Sequence, residues 1–275
     1  SQFSNPPKEY TTAPFFVWNA EITKEEIDSF MTGFKYAGSS QVFIHPRPGL
    51  INEYLSENWF ELYRHTVEKG KKLGMNVWIY DEDRYPSGFA GGHVPDQMPD
   101  SYNHGQGLIM TKVETLPDTC DKYYLCLKEE NDAYKDITGS LSDEKGKTGK
   151  FFLFSKTYYQ KADWYGGFSY VDLLYPGVTQ KFINVTMTGY EKYFGSEFGI
   201  TVPGIFTDEP HIETPGGLRD IGDIRWTPDL FDVFMKRWHY DLRTELPSLY
   251  EEVGDWKKIR HNYTQTLLQL FIDRW

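Results

Sequence analysis

The sequence predicts an α/β fold of parallel strand–helix units, interrupted by a segment of antiparallel strands. Over the first 83 residues, short apolar runs alternate with segments of helical periodicity, which is typical of parallel βα units. Between about residues 93 and 168 the helical periodicity is lost, and β-like runs are separated by turn residues. Helical periodicity returns from residue 178, which indicates that the strand–helix pattern resumes there.

The first part of the chain contains three predicted strands and two predicted helices. Thr23 followed three residues later by Glu26 is typical of a capping box, and Gly38 and Gly74 follow the last helical positions. The predicted order is strand 14–21, helix 24–37, strand 41–46, a helix from about 59 to 73, and strand 75–80.

The remaining elements follow a loop over residues 85–92 that is rich in glycine. β-like runs at 107–110, 122–127 and 150–156 indicate a small antiparallel insertion. Next come a helix over 178–194, a strand over 202–207 and helices over about 228–242 and 256–275. The predicted division is therefore 1–92 for the first three βα units, 93–168 for the β-rich insertion, and 169–275 for the continuation of the βα pattern.

The composition excludes several classes of protein. Lys and Arg number 29 against 40 Asp and Glu, which gives a net charge of −11, and no basic run is present. Binding to nucleic acid or to an anionic membrane surface is therefore disfavoured, and no apolar run is long enough to span a membrane. Aromatic residues make up 17% of the chain, enough for a large core or for a surface that contacts ligands through rings.

Polar side chains lie at the end of each of the four predicted parallel strands. Ligands of parallel α/β folds bind at this edge, because its loops vary while the core stays packed. The sequence therefore predicts a site there, with Trp18 either in the core or against a ligand. The polar residues are Asn19 and Glu21 after the first strand, His45 and Arg47 at the second, Asp81, Glu82 and Asp83 after the third, and Asp208, Glu209 and His211 after the fourth.

The adjacent carboxylates Asp208 and Glu209 suggest acid catalysis. They should point to opposite sides of the strand, and burial or mutual proximity would raise the pKa of one of them, as a general acid requires. Glycosidic bond cleavage needs such an acid and a second carboxylate. The structural alternative for Glu209 is a salt bridge at the strand end.

The other polar residues at the strand ends also have two interpretations. Asp81, Glu82 and Asp83 either contact sugar hydroxyls or pair with the arginines Arg47 and Arg84. A metal site is the less favoured interpretation, because these carboxylates lack calcium-loop spacing. His45 is either a satisfied strand-end histidine or a contact to a sugar hydroxyl.

Two segments, 79–92 (IYDEDRYPSGFAGG) and 204–210 (GIFTDEP), resemble motifs of the large bacterial α-L-rhamnosidase-like glycoside hydrolases, family 106 and its relatives. Residues 171–176 (VDLLYP) resemble the linker that returns to the catalytic barrel after an insertion. The resemblance extends over most of residues 14–275. Its motifs identify the superfamily of catalytic barrels better than they identify the sugar cleaved.

The resemblance implies a (β/α)8 TIM-barrel-type catalytic domain with a β-rich insertion after strand 3. Glu209 matches the acid/base position, Asp208 is its neighbour, and residues 81–83 match the substrate-facing loop. The implied substrates are oligo- or polysaccharides, α-L-rhamnosides of plant-type polysaccharides among them, cleaved outside the cytoplasm or in the periplasm. The family's inverting mechanism and calcium-assisted sugar site would make Ca²⁺ a cofactor, although no local calcium signature is present.

The length departs from this pattern. An eight-stranded barrel needs about 250 residues without insertions, whereas the insertion of about 75 residues leaves room for only four strand–helix units and a final helix in 275 residues. We therefore expect strands five to eight and the second catalytic carboxylate to lie outside this chain, as in an N-terminal fragment of a secreted enzyme. The expected function is a glycosidase or part of one. The alternatives are a truncated barrel that binds carbohydrate without catalysis and a purely structural domain, and the sequence indicates no oligomeric state.

Overall fold

A computed structural model describes residues 3–4, 6–216 and 222–275 of the chain. The helices are α1 (Lys24–Tyr36), α2 (Glu57–Leu73), α3 (His93–Gln97), α4 (Leu141–Glu144), α5 (Val178–Phe194), α6 (Leu230–Trp238), α7 (Pro247–Tyr250) and α8 (Trp256–Arg274). The strands are β1 (Phe15–Trp18), β2 (Gln41–Pro46), β3 (Asn76–Tyr80), β4 (Gly107–Thr115), β5 (Leu125–Glu130), β6 (Ala133–Asp136), β7 (Thr148–Thr157), β8 (Ile205–Phe206) and β9 (Asp223–Arg225).

These elements are grouped in two compact units, which we describe separately. The first comprises Ser1–Gln97, Asp163–Phe168 and Thr179–His211, and the second comprises Met98–Ala162, Ser169–Val178 and Ile212–Trp275. Residues 212–275 thus share a unit with most of the β-rich segment. The domain boundaries expected from the sequence stay a prediction, and their outer ranges include a few positions outside the described residues.

The first unit contains a parallel sheet in the order β1-β2-β3-β8. Its four strands are those that the sequence predicts, and Phe15 pairs with Phe43, Phe43 with Trp78, and Tyr80 with Phe206 in register. The described residues form this open parallel sheet and no closed eight-stranded barrel. The fold is therefore mixed α/β, as expected, while the complete barrel is not confirmed.

The two faces of the parallel sheet differ in their packing. Phe16 and Trp18 are buried, Phe16 against rings of α1 and Trp18 against Trp59 of α2. The opposite face carries a ring cluster of Phe15, Phe43, His45, Tyr80 and Phe206. Phe15 remains 45% exposed, so this second face is only partly covered within the unit.

The predicted helix signals of the first unit are confirmed. Glu26 N–H donates to Thr23 Oγ1 at 3.2 Å and Thr23 N–H donates to Glu26 Oε2 at 3.0 Å, which completes the capping box. Gly74 has φ +63° and ends α2 in the left-handed conformation. Strand β8 is shorter than predicted, since regular pairing starts only after Pro203 and Gly204, and proline lacks the N–H that a ladder needs.

The second unit contains an antiparallel sheet in the order β6-β5-β7-β4-β9. The predicted antiparallel segment is confirmed for β4, β5 and β7. Sequence analysis missed β6, which follows a tight turn where Asn131 and Asp132 both have positive φ. It also missed β9, which pairs with β4 although it lies more than 100 residues later.

The core of the second unit forms between its sheet and the C-terminal helices, with Leu108, Phe154, Trp226, Phe231 and Phe234 all buried. Within it, the buried Asp172 and Arg225 form an ion pair, and Thr227 Oγ1 donates to the second carboxylate oxygen of Asp172 at 2.8 Å. Helix α6 is shorter than the predicted 228–242, because His239 adopts φ +62° and ends it. No described helix has the length and apolarity needed to cross a bilayer.

Candidate functional site

The candidate site lies at the carboxyl edge of the parallel sheet, within the first unit. Strands β3 and β8 lie side by side and end at Tyr80 and Phe206. The predicted carboxylates follow directly, Asp81 to Asp83 after β3 and Asp208 with Glu209 after β8. We call residues 81–92 the site loop. The structure thus brings the third and fourth predicted groups of polar residues together at one edge.

Glu82 is the internal anchor of the site loop. Its side chain is completely buried, and its two carboxylate oxygens accept hydrogen bonds from five backbone N–H groups. Burial raises the pKa of Glu82, while the N–H donors favour the charged form. The sequence predicts for Glu82 either a sugar contact or a pair with an arginine; in the structure its side chain lies inside the loop, and both oxygens accept backbone hydrogen bonds. The donors are Asp83 at 2.9 Å, Gly88 at 3.1 Å, Phe89 at 3.1 Å, Ala90 at 2.7 Å and Gly91 at 2.6 Å.

Asp81 connects the site loop to the end of β8. It is buried, and its two carboxylate oxygens accept hydrogen bonds from Ser87 Oγ at 2.5 Å and from Thr207 Oγ1 at 2.6 Å. Burial raises the pKa of Asp81 to about 6, against the opposing effect of these two hydrogen bonds, and the nearby Asp208 adds to the rise. Asp81 therefore changes its charge close to neutral pH.

We expect Asp81 to make folding stability depend on pH. Its pKa rises from the ordinary 3.8 to about 6 in the folded chain, so the folded state holds this proton more tightly than the unfolded state. Stability should therefore fall as pH rises from about 4 to about 6, by roughly 3 kcal/mol, and then level off.

The variant Asp81→Asn isolates this effect, since asparagine stays neutral throughout. Urea unfolding of both proteins at pH 4, 5, 6 and 7 should show the wild type losing roughly 3 kcal/mol relative to the variant. Parallel stability curves for the two proteins across this range would contradict the assignment.

Asp208 is held by contacts from both neighbouring elements. Tyr80 Oη donates to Asp208 Oδ2 at 2.6 Å, and the backbone N–H of Asp208 donates to Ser87 Oγ at 2.9 Å. Ser87 N–H in turn donates to the carbonyl oxygen of Asp208 at 2.8 Å. Ser87 therefore fixes the end of β8 to the site loop, a role that sequence reasoning did not assign although the residue lies within the quoted motif.

Glu209 presents its carboxylate at the surface of the site. It is exposed, and among the described residues no hydrogen bond or ion pair is recorded for its carboxylate. Its φ of +45° lies in the left-handed region, which costs a residue with a side chain about 1–2 kcal/mol. The expected alternative, a salt bridge at the strand end, is not formed in this part of the chain.

His45 lies in the ring cluster on the partly covered face of the sheet. Its imidazole stacks on Phe15 at 4.4 Å between centroids and meets the Tyr80 ring edge-to-face at 4.2 Å. Burial and the nearby Arg47 lower the pKa of His45 to about 4, against the opposing charge of Asp208. His45 is therefore neutral at pH 7, and its buried Nδ1 has no hydrogen-bond partner among the described residues.

The remaining predicted site residues differ in their exposure. Trp18 is fully buried, with its ring 5.1 Å from that of Trp59, so of its two expected positions it takes the one in the core and not the one against a ligand. Asn19 and Glu21 are exposed, and His211 is partly buried at the end of the first unit.

Asp83 in the site loop and Arg47 after β2 each have one close side-chain neighbour, Arg84 for Asp83 and Tyr85 for Arg47. Asp83 is buried, and one of its carboxylate oxygens lies 3.3 Å from Arg84 Nε. Burial raises the pKa of Asp83, against the opposing charge of Arg84. Arg47 is half-buried, with its guanidinium carbon 5.8 Å from the centre of the Tyr85 ring.

The donor set does not fit the calcium ion that the resemblance implies. Calcium takes six to eight oxygen ligands, and the described residues contain no group of three or more His, Cys, Asp or Glu side chains placed to hold a metal. The oxygens of Asp81 and Glu82 instead accept hydrogen bonds from hydroxyl and backbone N–H groups.

Comparison with known proteins shows a fold similarity. No protein-family model matches the chain, and no curated protein sequence matches it. A solved structure of a rhamnosidase from Novosphingobium sp. PP1Y is similar, with a TM-score of 0.58 and 11% sequence identity. The alignment covers 99% of this chain and 45% of the rhamnosidase chain, so this chain spans less than half the length of that protein. At this identity the likeness shows the fold alone, and the chain has a rhamnosidase-like α/β fold.

Proposed function

We propose that this chain carries the acid side of a glycoside hydrolase site, with Glu209 as general acid. One observation carries the proposal: Glu209 is exposed at the carboxyl edge of a parallel sheet in a strained backbone conformation, directly after a firmly held Asp208. Strained residues cluster at functional sites, because the surrounding contacts must offset the strain. A carboxylate presented in this way can reach the leaving oxygen of a bound glycoside.

Three neighbouring residues, Tyr80, Asp81 and His45, would orient Asp208, set the local charge and contact the sugar. Tyr80 holds one oxygen of Asp208, so this carboxylate has a defined direction toward a substrate. Asp81 is connected to Asp208 through Ser87, and because its pKa is about 6, its charge changes with pH close to neutrality. The neutral His45 can exchange a hydrogen bond with a sugar hydroxyl without introducing a charge, since its pKa is low.

The fold similarity makes α-L-rhamnosides the first substrates to examine. The similar structure is a rhamnosidase, and oligo- or polysaccharides that carry this sugar are the proposed substrate class. Action on such polymers would place the protein outside the cytoplasm or in the periplasm. Cleavage also requires a second carboxylate, which we propose lies outside this chain.

Hydrolysis of a panel of aryl glycosides and plant oligosaccharides by the intact protein tests this function, since the second carboxylate is expected outside these 275 residues, which would then be inactive alone. We expect release of the aryl group from at least one member, α-L-rhamnoside first, together with its loss in Glu209→Gln. Absence of turnover by the intact protein on the whole panel, at protein concentrations that detect weak enzymes, would exclude a catalytic role for this site.

Carbohydrate binding without catalysis is the second candidate function. The exposed Tyr85 ring and the half-buried Trp164 ring favour it, because accessible aromatic rings pack well against the faces of sugars. Glycan binding measured by isothermal titration calorimetry, without hydrolysis of the same glycans over a long incubation, would favour this function over the first.

A further inference from the structure

We propose that Arg47, Tyr85 and Trp164 form a subsite for a negatively charged sugar, a uronic acid, beside the candidate catalytic carboxylates. The proposal rests on the proposed function, because it assigns a substrate class to the same edge of the sheet. All three residues belong to the first unit, and we call them the anion subsite. The sequence predicts Arg47 either as part of a carbohydrate site at this edge or as an ion-pair partner of residues 81–83.

Arg47 is a cation without a counterion among the described residues. Its guanidinium is half-buried and lies over the Tyr85 ring, and no carboxylate of the described residues forms an ion pair with it. A half-buried charge normally finds an opposite charge or a full set of hydrogen bonds. The chain has an excess of acidic residues, 40 against 29 basic ones, so a missing partner is unexpected on composition.

Three of the carboxylates at this edge are engaged with other donors, and the exposed Glu209 forms no ion pair with Arg47 in the described part of the chain. Asp81 accepts from Ser87 and Thr207, and Asp208 accepts from Tyr80. Asp83 pairs with Arg84 rather than with Arg47. Within the described residues Arg47 therefore has no anionic partner, and a bound anionic ligand would supply one.

The Tyr85 ring, which lies beside Arg47, forms an aromatic wall with the Trp164 ring. Their rings meet edge-to-face with centroids 5.5 Å apart, and Trp164 Nε1 donates to the Tyr85 carbonyl oxygen at 2.6 Å. Arg84 Nη1 donates to the Asp163 carbonyl oxygen at 2.8 Å and so holds the segment that carries Trp164. Tyr85 remains 39% exposed, which leaves ring surface for a ligand.

This combination fits a sugar that carries a carboxylate. A guanidinium donates two parallel hydrogen bonds to a planar carboxylate, a geometry that a neutral sugar cannot supply. The aromatic wall provides the apolar contact that a pyranose face needs. The net charge of −11 repels anions at long range, so the recognition must come from short-range contact with Arg47.

Binding of a matched pair of disaccharides tests the anion subsite. Digalacturonic acid and its carboxyl-reduced counterpart differ only at C6, where a hydroxymethyl group replaces each carboxylate, and we expect the acid to bind about tenfold more tightly or better, measured by calorimetry at low salt. Arg47→Gln should abolish this preference, and Arg47→Lys should restore only part of it because lysine lacks the planar fork. Tyr85→Ala should weaken both disaccharides alike.

Arg64→Gln is the matched control, since Arg64 is exposed on α2 of the same unit and loses the same charge. It should keep the full preference for the acid, and thermal unfolding should show all variants folded. Equal affinity of the wild type for both disaccharides, or a preference that survives in Arg47→Gln, would overturn the proposal. Because binding needs no turnover, a preference found without hydrolysis would leave the subsite standing while the proposed function fails.

Discussion

Glu209→Gln is expected to lower glycoside turnover by about 10²–10⁴-fold, the range that positioned general acids contribute. Glutamine keeps the size of the side chain but has no proton to give to the leaving oxygen. The free energy of unfolding should stay within about 0.5 kcal/mol of the wild type, because Glu209 is exposed and its carboxylate has no recorded contact in the described part of the chain. Initial rates on the most reactive aryl glycoside, with urea unfolding alongside, measure both quantities.

Two further variants separate the acid from its surroundings. Glu61→Gln, an exposed position on α2, removes the same charge from the same unit and should leave turnover unchanged. Glu209→Gly should be as inactive as glutamine yet equally stable or more stable by up to about 1 kcal/mol, because glycine tolerates the φ of +45°. Turnover retained by Glu209→Gln would exclude Glu209 as the acid.

Glu82→Gln should destabilise the first unit by about 3 kcal/mol or more, although it changes one oxygen into an amide nitrogen. Each carboxylate oxygen of Glu82 accepts at least two backbone N–H groups. An NH₂ group in place of either oxygen would itself be a donor, so the backbone N–H groups that point at it would have no acceptor. Urea unfolding monitored by tryptophan fluorescence measures the loss.

The control for this variant is again Glu61→Gln, which should change the free energy of unfolding by less than about 0.5 kcal/mol. Activity of Glu82→Gln should fall as well, since the site loop positions Ser87 against Asp208. A Glu82→Gln protein with the stability of the wild type would show that the five hydrogen bonds do not hold the loop.

Much of the first unit could be predicted from the sequence, because local signals and packing agree there. The capping box at Thr23, the glycine after α2 and the apolar strand runs each specify their own element, and the structure contains all of them. Signals that depend on distant partners were not visible. Strand β9 pairs with β4, which lies more than 100 residues earlier, and its three residues are too few to show a strand pattern in the sequence.

The candidate site shows the same limit at the level of single side chains. The sequence places carboxylates at the strand ends, which suffices to predict a candidate site there, but it does not say which of them face inward. Glu82 and Trp18 are fully buried, while Glu209 is exposed. The direction of each side chain depends on the loop path, and this path follows from hydrogen bonds to Glu82 and Ser87 that form only in the folded unit.

The Glu82 contacts also set the motion of the site loop. Most of the loop has no strand or α-helix ladder, yet its amides at positions 88–91 each donate to a buried carboxylate. Hydrogen exchange at these amides requires the loop to open and release the anchor as one event. They should therefore exchange with deuterium together and as slowly as amides of the neighbouring sheet, so that this irregular segment behaves kinetically as part of the scaffold.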